Sequence, residues 1–135
     1  MNTPVNFELA KLLKEIGFNA PCIQQYYNHG ELLFCVDVHG RPMLKTNDKS
    51  YLDSGGYCIS APTIAEVVMW LYEKHGVWIN VNITRYGRFW CNIVLKEECK
   101  HSNNQFTWEF VNQLNDFTSP TKAYEAAIEH CLKRI

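Results

Sequence analysis

The chain has 135 residues, 47% of them hydrophobic, which is enough to bury the core of one domain without disulfides or metal ions. Its 13 basic and 14 acidic side chains give a net charge of -1, whereas proteins that bind a nucleic-acid backbone usually carry clustered positive charge. The composition therefore argues against nucleic-acid binding, and no apolar run is long enough to cross a membrane.

The six cysteines are spread along the chain and form no paired motif. They are Cys22, Cys35, Cys58, Cys91, Cys99 and Cys131. Residues 1–6 are polar, with neither the basic start nor the apolar core of a secretory signal peptide. Cys91 and Cys131 fall at positions predicted to face the core, as buried thiols of cytosolic proteins do. We expect a cytoplasmic protein with free thiols.

The first predicted helix covers residues 6–16. Its leucines recur at helical spacing, Asn6 can cap its start, and Gly17 can supply the left-handed residue that ends it. The stretch that follows predicts a strand at 32–38 and short strands at 43–46 and 57–59, separated by turn-forming residues.

The second predicted helix begins with a capping box, in which Thr63 is the N-cap and Glu66 lies three residues later. Gly76 ends this helix. The last predicted helix begins at Ser119 and Pro120, because serine is a good N-cap and proline suits the first helical position.

Between these two helices, residues 77–84 and 89–96 alternate between apolar and polar or aromatic side chains, which is typical of strands. Tyr86 and Gly87 predict the hairpin turn, and residues 106–110 predict a third strand. Such short connections favour antiparallel pairing. We expect a single α+β domain over residues 1–135, with about three amphipathic helices packed on a mainly antiparallel sheet of four to six strands.

Three segments carry a resemblance. They are FELAKLLKEIG at residues 7–17, APTIAEVVMWLYEKHG at 61–76 and FTSPTKAYEAA at 117–127. Each resembles the corresponding part of an uncharacterised family of small proteins from gut bacteria of the Bacteroides type and from their phages and mobile elements. That family has no known activity. The resemblance implies a bacterial or phage origin and transfers no catalytic or binding residue.

Two groups of histidine and cysteine are candidate metal sites. They are His29, Cys35 and His39, and Cys91, Cys99 and His101. Structural zinc sites normally contain closely spaced ligand pairs such as C-x-x-C, and the chain has none. We therefore predict no metal site, and no sequence motif indicates a cofactor.

A pocket near residues 40–60 is one hypothesis for function. Asp53 lies in a turn-rich stretch, and Cys58 lies just before the second helix beside two glycines. A cysteine nucleophile needs a nearby base and an electropositive setting to form a thiolate. In this hypothesis the chain is an enzyme or a small-ligand-binding protein that uses Asp53 and Cys58.

The alternation of the hairpin predicts a second candidate site, a sheet face that carries two tryptophans and three asparagines. Its residues are Trp78, Asn80, Asn82, Trp90 and Asn92. Aromatic rings interleaved with amides can form a recognition surface. The competing interpretation is that another segment of the chain, or a second copy, covers this face. Our leading hypothesis is a small non-enzymatic binding or accessory protein that acts through a sheet face or edge.

Overall fold

The computed structural model describes residues 1–27, 30–47, 58–98 and 106–135. This part of the chain contains three α-helices and six β-strands. In chain order they are α1 (Phe7–Ile16), β1 (Gln24–Tyr27), β2 (Glu31–Phe34), β3 (Cys58–Ser60), α2 (Ile64–His75), β4 (Val77–Ile83), β5 (Phe89–Glu98), β6 (Phe106–Phe117) and α3 (Pro120–Leu132). All strand pairs are antiparallel, so the predicted α+β class is confirmed.

The chain divides into two compact units. One unit consists of residues 2–63, and the other consists of residues 64–135 together with Met1. The six strands form two three-stranded sheets, one in each unit, with the orders β2-β1-β3 and β4-β5-β6. The prediction of a single domain over residues 1–135 stays a prediction.

In the unit of residues 2–63, α1 packs against β3 and is closed at both ends by local hydrogen bonds. The Leu9 N–H donates to Asn6 Oδ1 at 3.0 Å, which satisfies one of the free amides of the first turn. At the other end Gly17 has a φ of 97°, and the Phe18 N–H donates to the Leu13 carbonyl at 2.9 Å. Both predicted caps of this helix are confirmed.

A buried asparagine joins separate segments of the same unit. Asn47 Nδ2 donates to the Phe18 carbonyl at 2.7 Å, and Asn47 Oδ1 accepts from the Ser60 N–H at 2.8 Å. Tyr26 makes a similar connection, because its hydroxyl donates to the Val5 carbonyl at 2.6 Å. These polar groups can be buried because each has a hydrogen-bond partner.

In the unit of residues 64–135, β4, β5 and β6 form the predicted meander. Helix α3 packs against all three strands, and α2 packs against β4 and α3. The helices and the inner face of the sheet share a core. Its fully buried members include Val67, Leu71, Ile79, Cys91, Ile93, Ala127 and Ile128.

The predicted boundaries of α3 and of the β4–β5 turn are also observed. The Lys122 N–H donates to Ser119 Oγ at 3.2 Å, and Pro120 is the first helical residue. In the turn, Gly87 has a φ of 75° and its N–H donates to the Thr84 carbonyl at 3.0 Å. A left-handed residue at this point lets the two strands fold back on each other.

The stretch of residues 18–61 differs in detail from its prediction. The predicted strand at 32–38 ends at Phe34, because the Asp37 N–H donates to the Arg41 carbonyl and turns the chain. The predicted strand at 43–46 is reduced to a bridge between Cys22 and Lys45. The predicted strand at 57–59 is observed as β3, and β1 is an additional strand.

The five described cysteines are buried. They are Cys22, Cys35, Cys58, Cys91 and Cys131. The prediction that Cys91 and Cys131 face the core is confirmed. Burial raises the pKa of the Cys131 thiol to about 12, and the neighbouring Cys91 adds to the shift. None of the helices in the described part of the chain has the length and apolar character that a membrane span needs.

Candidate functional site

The register of the β4–β5 hairpin places the five predicted binding residues on one face of the sheet. Asn80 lies opposite Asn92, and Asn82 lies opposite Trp90, while Trp78 lies opposite Val94. Because paired residues share a face and alternate residues along a strand do too, all five belong to one surface. We call Trp78, Asn80, Asn82, Trp90 and Asn92 the Trp–Asn face.

The opposite face of the same hairpin is core. Val77, Ile79, Cys91 and Ile93 are each no more than 5% exposed. Burial of this apolar face against the helices determines which face of the hairpin points inward. A shift of one residue in register would exchange the two faces. The core therefore holds the Trp–Asn face on the outer side of the sheet.

Contacts within the Trp–Asn face orient its side chains. Trp78 Nε1 donates to Asn80 Oδ1 at 2.9 Å. The Trp78 ring also meets the edge of the Tyr72 ring, with 5.6 Å between centroids. Asn82 Nδ2 donates to Asn92 Oδ1 across the strands at 3.4 Å. Trp78 is thus fixed in position. The hydrogen bond between Asn82 and Asn92 is long and therefore weak, so either amide can exchange it for a hydrogen bond to a ligand.

The Trp–Asn face retains contact with solvent. Asn82 is exposed, and the other four side chains are half-buried. Trp90 lies opposite Asn82, which is four residues from Trp78 along β4. The two tryptophan positions are therefore about 14 Å apart at the usual strand rise. Two partly exposed indoles therefore flank a ladder of amides, which offers apolar area together with hydrogen-bond donors and acceptors.

The second candidate site is only partly described. Asp53 lies outside the described residues, whereas Cys58 begins β3 and is 2% exposed. Lys14 Nζ donates to the Cys58 carbonyl at 3.0 Å. Burial raises the pKa of the Cys58 thiol, although Lys45 and Lys14 oppose the shift. Nucleophilic cysteines show the opposite behaviour, with a lowered pKa and an accessible sulfur.

We expect Cys58 to react slowly with iodoacetamide at neutral pH. Its thiol is buried and its pKa is raised, so little of it is present as the reactive thiolate. Mass spectrometry of tryptic peptides after timed labelling measures the rate. The same peptide labelled in urea is the control and should react at least about tenfold faster. Selective, rapid labelling of Cys58 in the folded chain would restore the nucleophile hypothesis.

The structure also contains a groove that was not predicted from the sequence. It has a volume of about 360 Å³ and lies along the last turns of α3 beside the end of β6. Its lining residues are Phe117, Ala126, Glu129, His130, Lys133 and Arg134. The spacing of Ala126, Glu129, His130 and Lys133 places them on one side of a helix, which is the only sequence signal for the groove.

The charged groups of this groove have partners within α3 and its last residues. Lys133 Nζ lies 2.7 Å from Glu129 Oε1, and Arg134 Nη1 donates to the His130 carbonyl at 2.9 Å. Burial lowers the pKa of His130, and the nearby Arg134 lowers it further. This set of charges is mixed in sign, so it does not indicate the charge of a ligand.

Within residues 1–27, 30–47, 58–98 and 106–135, no three histidine, cysteine or acidic side chains come together in a way that could hold a metal ion. In the two candidate metal sites, three residues lie outside those ranges: His29, Cys99 and His101.

Comparisons with protein-family models, curated proteins and solved structures find no match to this chain.

Proposed function

We propose that the chain is a small non-enzymatic binding protein that recognises a partner protein through the Trp–Asn face. The observation that carries the proposal is the combination of two partly exposed tryptophans with three asparagines on the outer side of a sheet whose inner side is core. Tryptophan and tyrosine are enriched at the centres of protein interfaces, where lysine and the acidic residues are depleted.

The fixed position of Trp78 supports a binding role. Its indole is held by the Tyr72 ring and by Asn80 before any partner arrives. A side chain that is already ordered loses little conformational entropy on binding, which commonly costs about 0.5–1.5 kcal/mol for a freely rotating side chain. Preorganised aromatic anchors of this kind often contribute most of the affinity at a protein interface.

The amides support recognition of polar backbone groups rather than of charge. Each asparagine offers both a donor and an acceptor, so it can match a peptide group of a partner. The five residues of the face are all uncharged. A partly apolar protein surface fits this chemistry better than a phosphate backbone, which attracts cationic side chains.

The competing hypothesis, an enzyme or a small-ligand binder with a pocket near residues 40–60, relies on Asp53 and Cys58. Cys58 is buried with a raised pKa, which does not suit a nucleophile. The role of Asp53 stays a prediction. The bacterial or phage origin and the cytoplasmic location are further parts of our proposal, supported by the sequence alone.

We expect the substitution Trp90→Ala to weaken binding of the partner at least about 30-fold, since loss of an aromatic side chain that carries binding energy usually costs about 2 kcal/mol or more. To isolate the partner, the wild-type chain and a Trp90→Ala, Asn82→Ala double variant are each immobilised and exposed to an extract of the natural cells. The partner is the protein that binds the wild-type chain and does not bind the double variant. Isothermal titration calorimetry then compares the purified partner with each single variant.

Tyr86→Ala is the matched control for this substitution. Tyr86 is also an aromatic residue of the hairpin, but it lies in the turn and is 76% exposed. Its removal should change the affinity by no more than about twofold, because isolated exposed side chains contribute little to an interface. Thermal melts verify that Trp90→Ala is folded. The proposal would be contradicted if a folded Trp90→Ala variant bound the partner like the wild type. It would also be contradicted if the wild-type chain and the double variant retained the same proteins.

A further inference from the structure

The strand β2 is unusual because it is exposed on both faces. Leu32, Leu33 and Phe34 are 37%, 43% and 65% exposed. Within the described part of the chain, β2 is also the end strand of its sheet, paired on one side with β1. A short strand made of three large apolar residues usually lies in a core. Here it lies at an edge, which exposes apolar side chains and backbone together.

The hydrogen bonds of β1 show which backbone groups of β2 point outward. The Cys35 N–H donates to the Ile23 carbonyl at 2.8 Å, and the Ala61 N–H donates to the Gln24 carbonyl at 3.0 Å. In an antiparallel pair, successive residues direct their backbone groups alternately to opposite sides. Leu33 therefore bonds toward β1, while Leu32 and Phe34 direct their N–H and C=O groups to the open side.

Soluble proteins usually protect such an edge with a lysine, a proline or a bulge. Residues 32–36 contain none of these, and β2 pairs with β1 in unbroken register. The nearest charges along the chain are Glu31 and Asp37, one on each side of this stretch. In the part of the chain that the structure describes, the open edge of β2 therefore carries an uncharged stretch, Leu32–Phe34, whose outward donors and acceptors are suited to pairing with another strand.

We propose that β2 pairs antiparallel with β2 of a second copy of this chain, about a two-fold axis that passes beside Leu33. In this register Leu32 of each copy lies opposite Phe34 of the other, and the outward backbone groups exchange four hydrogen bonds. The two Leu33 side chains lie opposite each other. The two three-stranded sheets then join into one six-stranded sheet.

The charges of β2 favour a second copy as the occupant. In the antiparallel register the two Glu31 residues lie at opposite ends of the pair, four residues apart along the strands. This is about 14 Å at the usual strand rise, farther than the Debye length of about 8 Å at physiological salt. Glu31 of each copy also comes near Asp37 of the other, but the Asp37 carboxylate is paired with Arg41 of its own copy at 3.0 Å, which offsets the repulsion. The apolar residues thus meet each other. The strand is complementary to itself.

The pairing goes beyond the proposed function and does not depend on it, because β2 and the Trp–Asn face belong to different units. Four backbone hydrogen bonds and three apolar side chains per copy make a small interface, so we expect a dissociation constant of about 1–100 μM. The wild-type chain should sediment as a 15.7 kDa monomer when dilute and at twice that mass when concentrated.

Two substitutions at Leu33 test the proposed register by analytical ultracentrifugation and cross-linking. Leu33→Lys places two lysines side by side at the axis and should raise the dissociation constant at least about tenfold. Leu33→Cys, in a Cys99→Ser background, should form a disulfide between copies on mild oxidation, because the central pair is not hydrogen-bonded and its Cα atoms lie about 4.5 Å apart. Leu33 is already exposed, so both variants are expected to fold.

Leu32→Cys is the matched control for cross-linking, because Leu32 lies opposite Phe34 of the other copy and should not form the disulfide. The proposal is overturned if the wild type stays monomeric throughout. It is also overturned if Leu33→Lys dimerises like the wild type, or if Leu32→Cys cross-links as fast as Leu33→Cys. A monomer that binds an extended apolar peptide along β2 would assign the edge to a different protein. Dimerisation unaffected by Trp90→Ala separates this test from that of the Trp–Asn face.

Discussion

Replacement of Asn47 by alanine is expected to lower the free energy of unfolding by about 2–4 kcal/mol. The side chain is buried and bonds to the Phe18 carbonyl and the Ser60 N–H at 2.7 and 2.8 Å. Alanine leaves both backbone groups without that partner, and each unsatisfied group costs about 1–3 kcal/mol. Urea unfolding followed by circular dichroism measures the change. A loss below about 1 kcal/mol would mean that the two groups find other partners.

Asn47→Asp is the matched control, since it keeps the shape of the side chain. The carboxylate can accept from the Ser60 N–H, but it has no donor for the Phe18 carbonyl. Burial disfavours the charged form, so the pKa of the new carboxyl should be higher in the folded than in the unfolded chain. Its destabilising effect is then largest at high pH and declines as the pH falls through the folded-state pKa.

The stability of Asn47→Asp relative to the wild type should therefore rise as the pH is lowered from about 8 to about 4. The reason is that the protonated carboxyl can again donate to the Phe18 carbonyl. Asn47→Ala has no titrating group and should keep a constant difference from the wild type. A parallel pH dependence for the two variants would show that the hydrogen bond to Phe18 is not the cause.

The helix ends were predictable because their causes are local. Asn6 and Gly17 close α1, and Ser119 with Pro120 starts α3, through hydrogen bonds that reach no more than five residues along the chain. The alternation in residues 77–95 likewise predicted which side chains of the hairpin share a face, because one face had to be apolar for the core. Patterns of this range can be read without knowing the rest of the fold.

The strand β1 could not be predicted, because its stability comes from distant residues. Gln24–Tyr27 carries no apolar alternation, yet Gln25 and Tyr26 are buried. Tyr26 is held by the Val5 carbonyl 21 residues away, and the strand is paired on both sides. The division of six strands between two sheets is also a matter of tertiary structure, since alternation within a strand does not identify its neighbours.

The candidate sites were predictable to different degrees. Membership of the Trp–Asn face follows from the period of two, whereas the contacts of Trp78 with Asn80 and Tyr72 depend on side-chain geometry. The exposure of β2 could not be predicted, because an apolar run such as Leu32–Phe34 is typical of a buried strand. The departure of β2 from that pattern makes it a candidate for pairing.

Replacement of Ile128 by alanine is expected to cost about 2–5 kcal/mol of the free energy of unfolding. Ile128 is fully buried in α3, which packs against β4, β5 and β6. The loss combines the transfer free energy of the removed methyl and methylene groups with the cavity that they leave. Ile135→Ala is the matched control, because the same substitution at a 49% exposed position should change stability by no more than about 0.5 kcal/mol.

Comparison of Ile128→Ala with Asn47→Ala also tests the prediction of a single domain, because the two residues lie in different units. A single domain of this size normally unfolds in one cooperative step, so both substitutions should move the same transition. Calorimetry then shows one peak, displaced downward in each variant, with agreement between the calorimetric and van't Hoff enthalpies. Two peaks, of which each variant displaces only one, would mean that residues 2–63 and 64–135 unfold as separate domains.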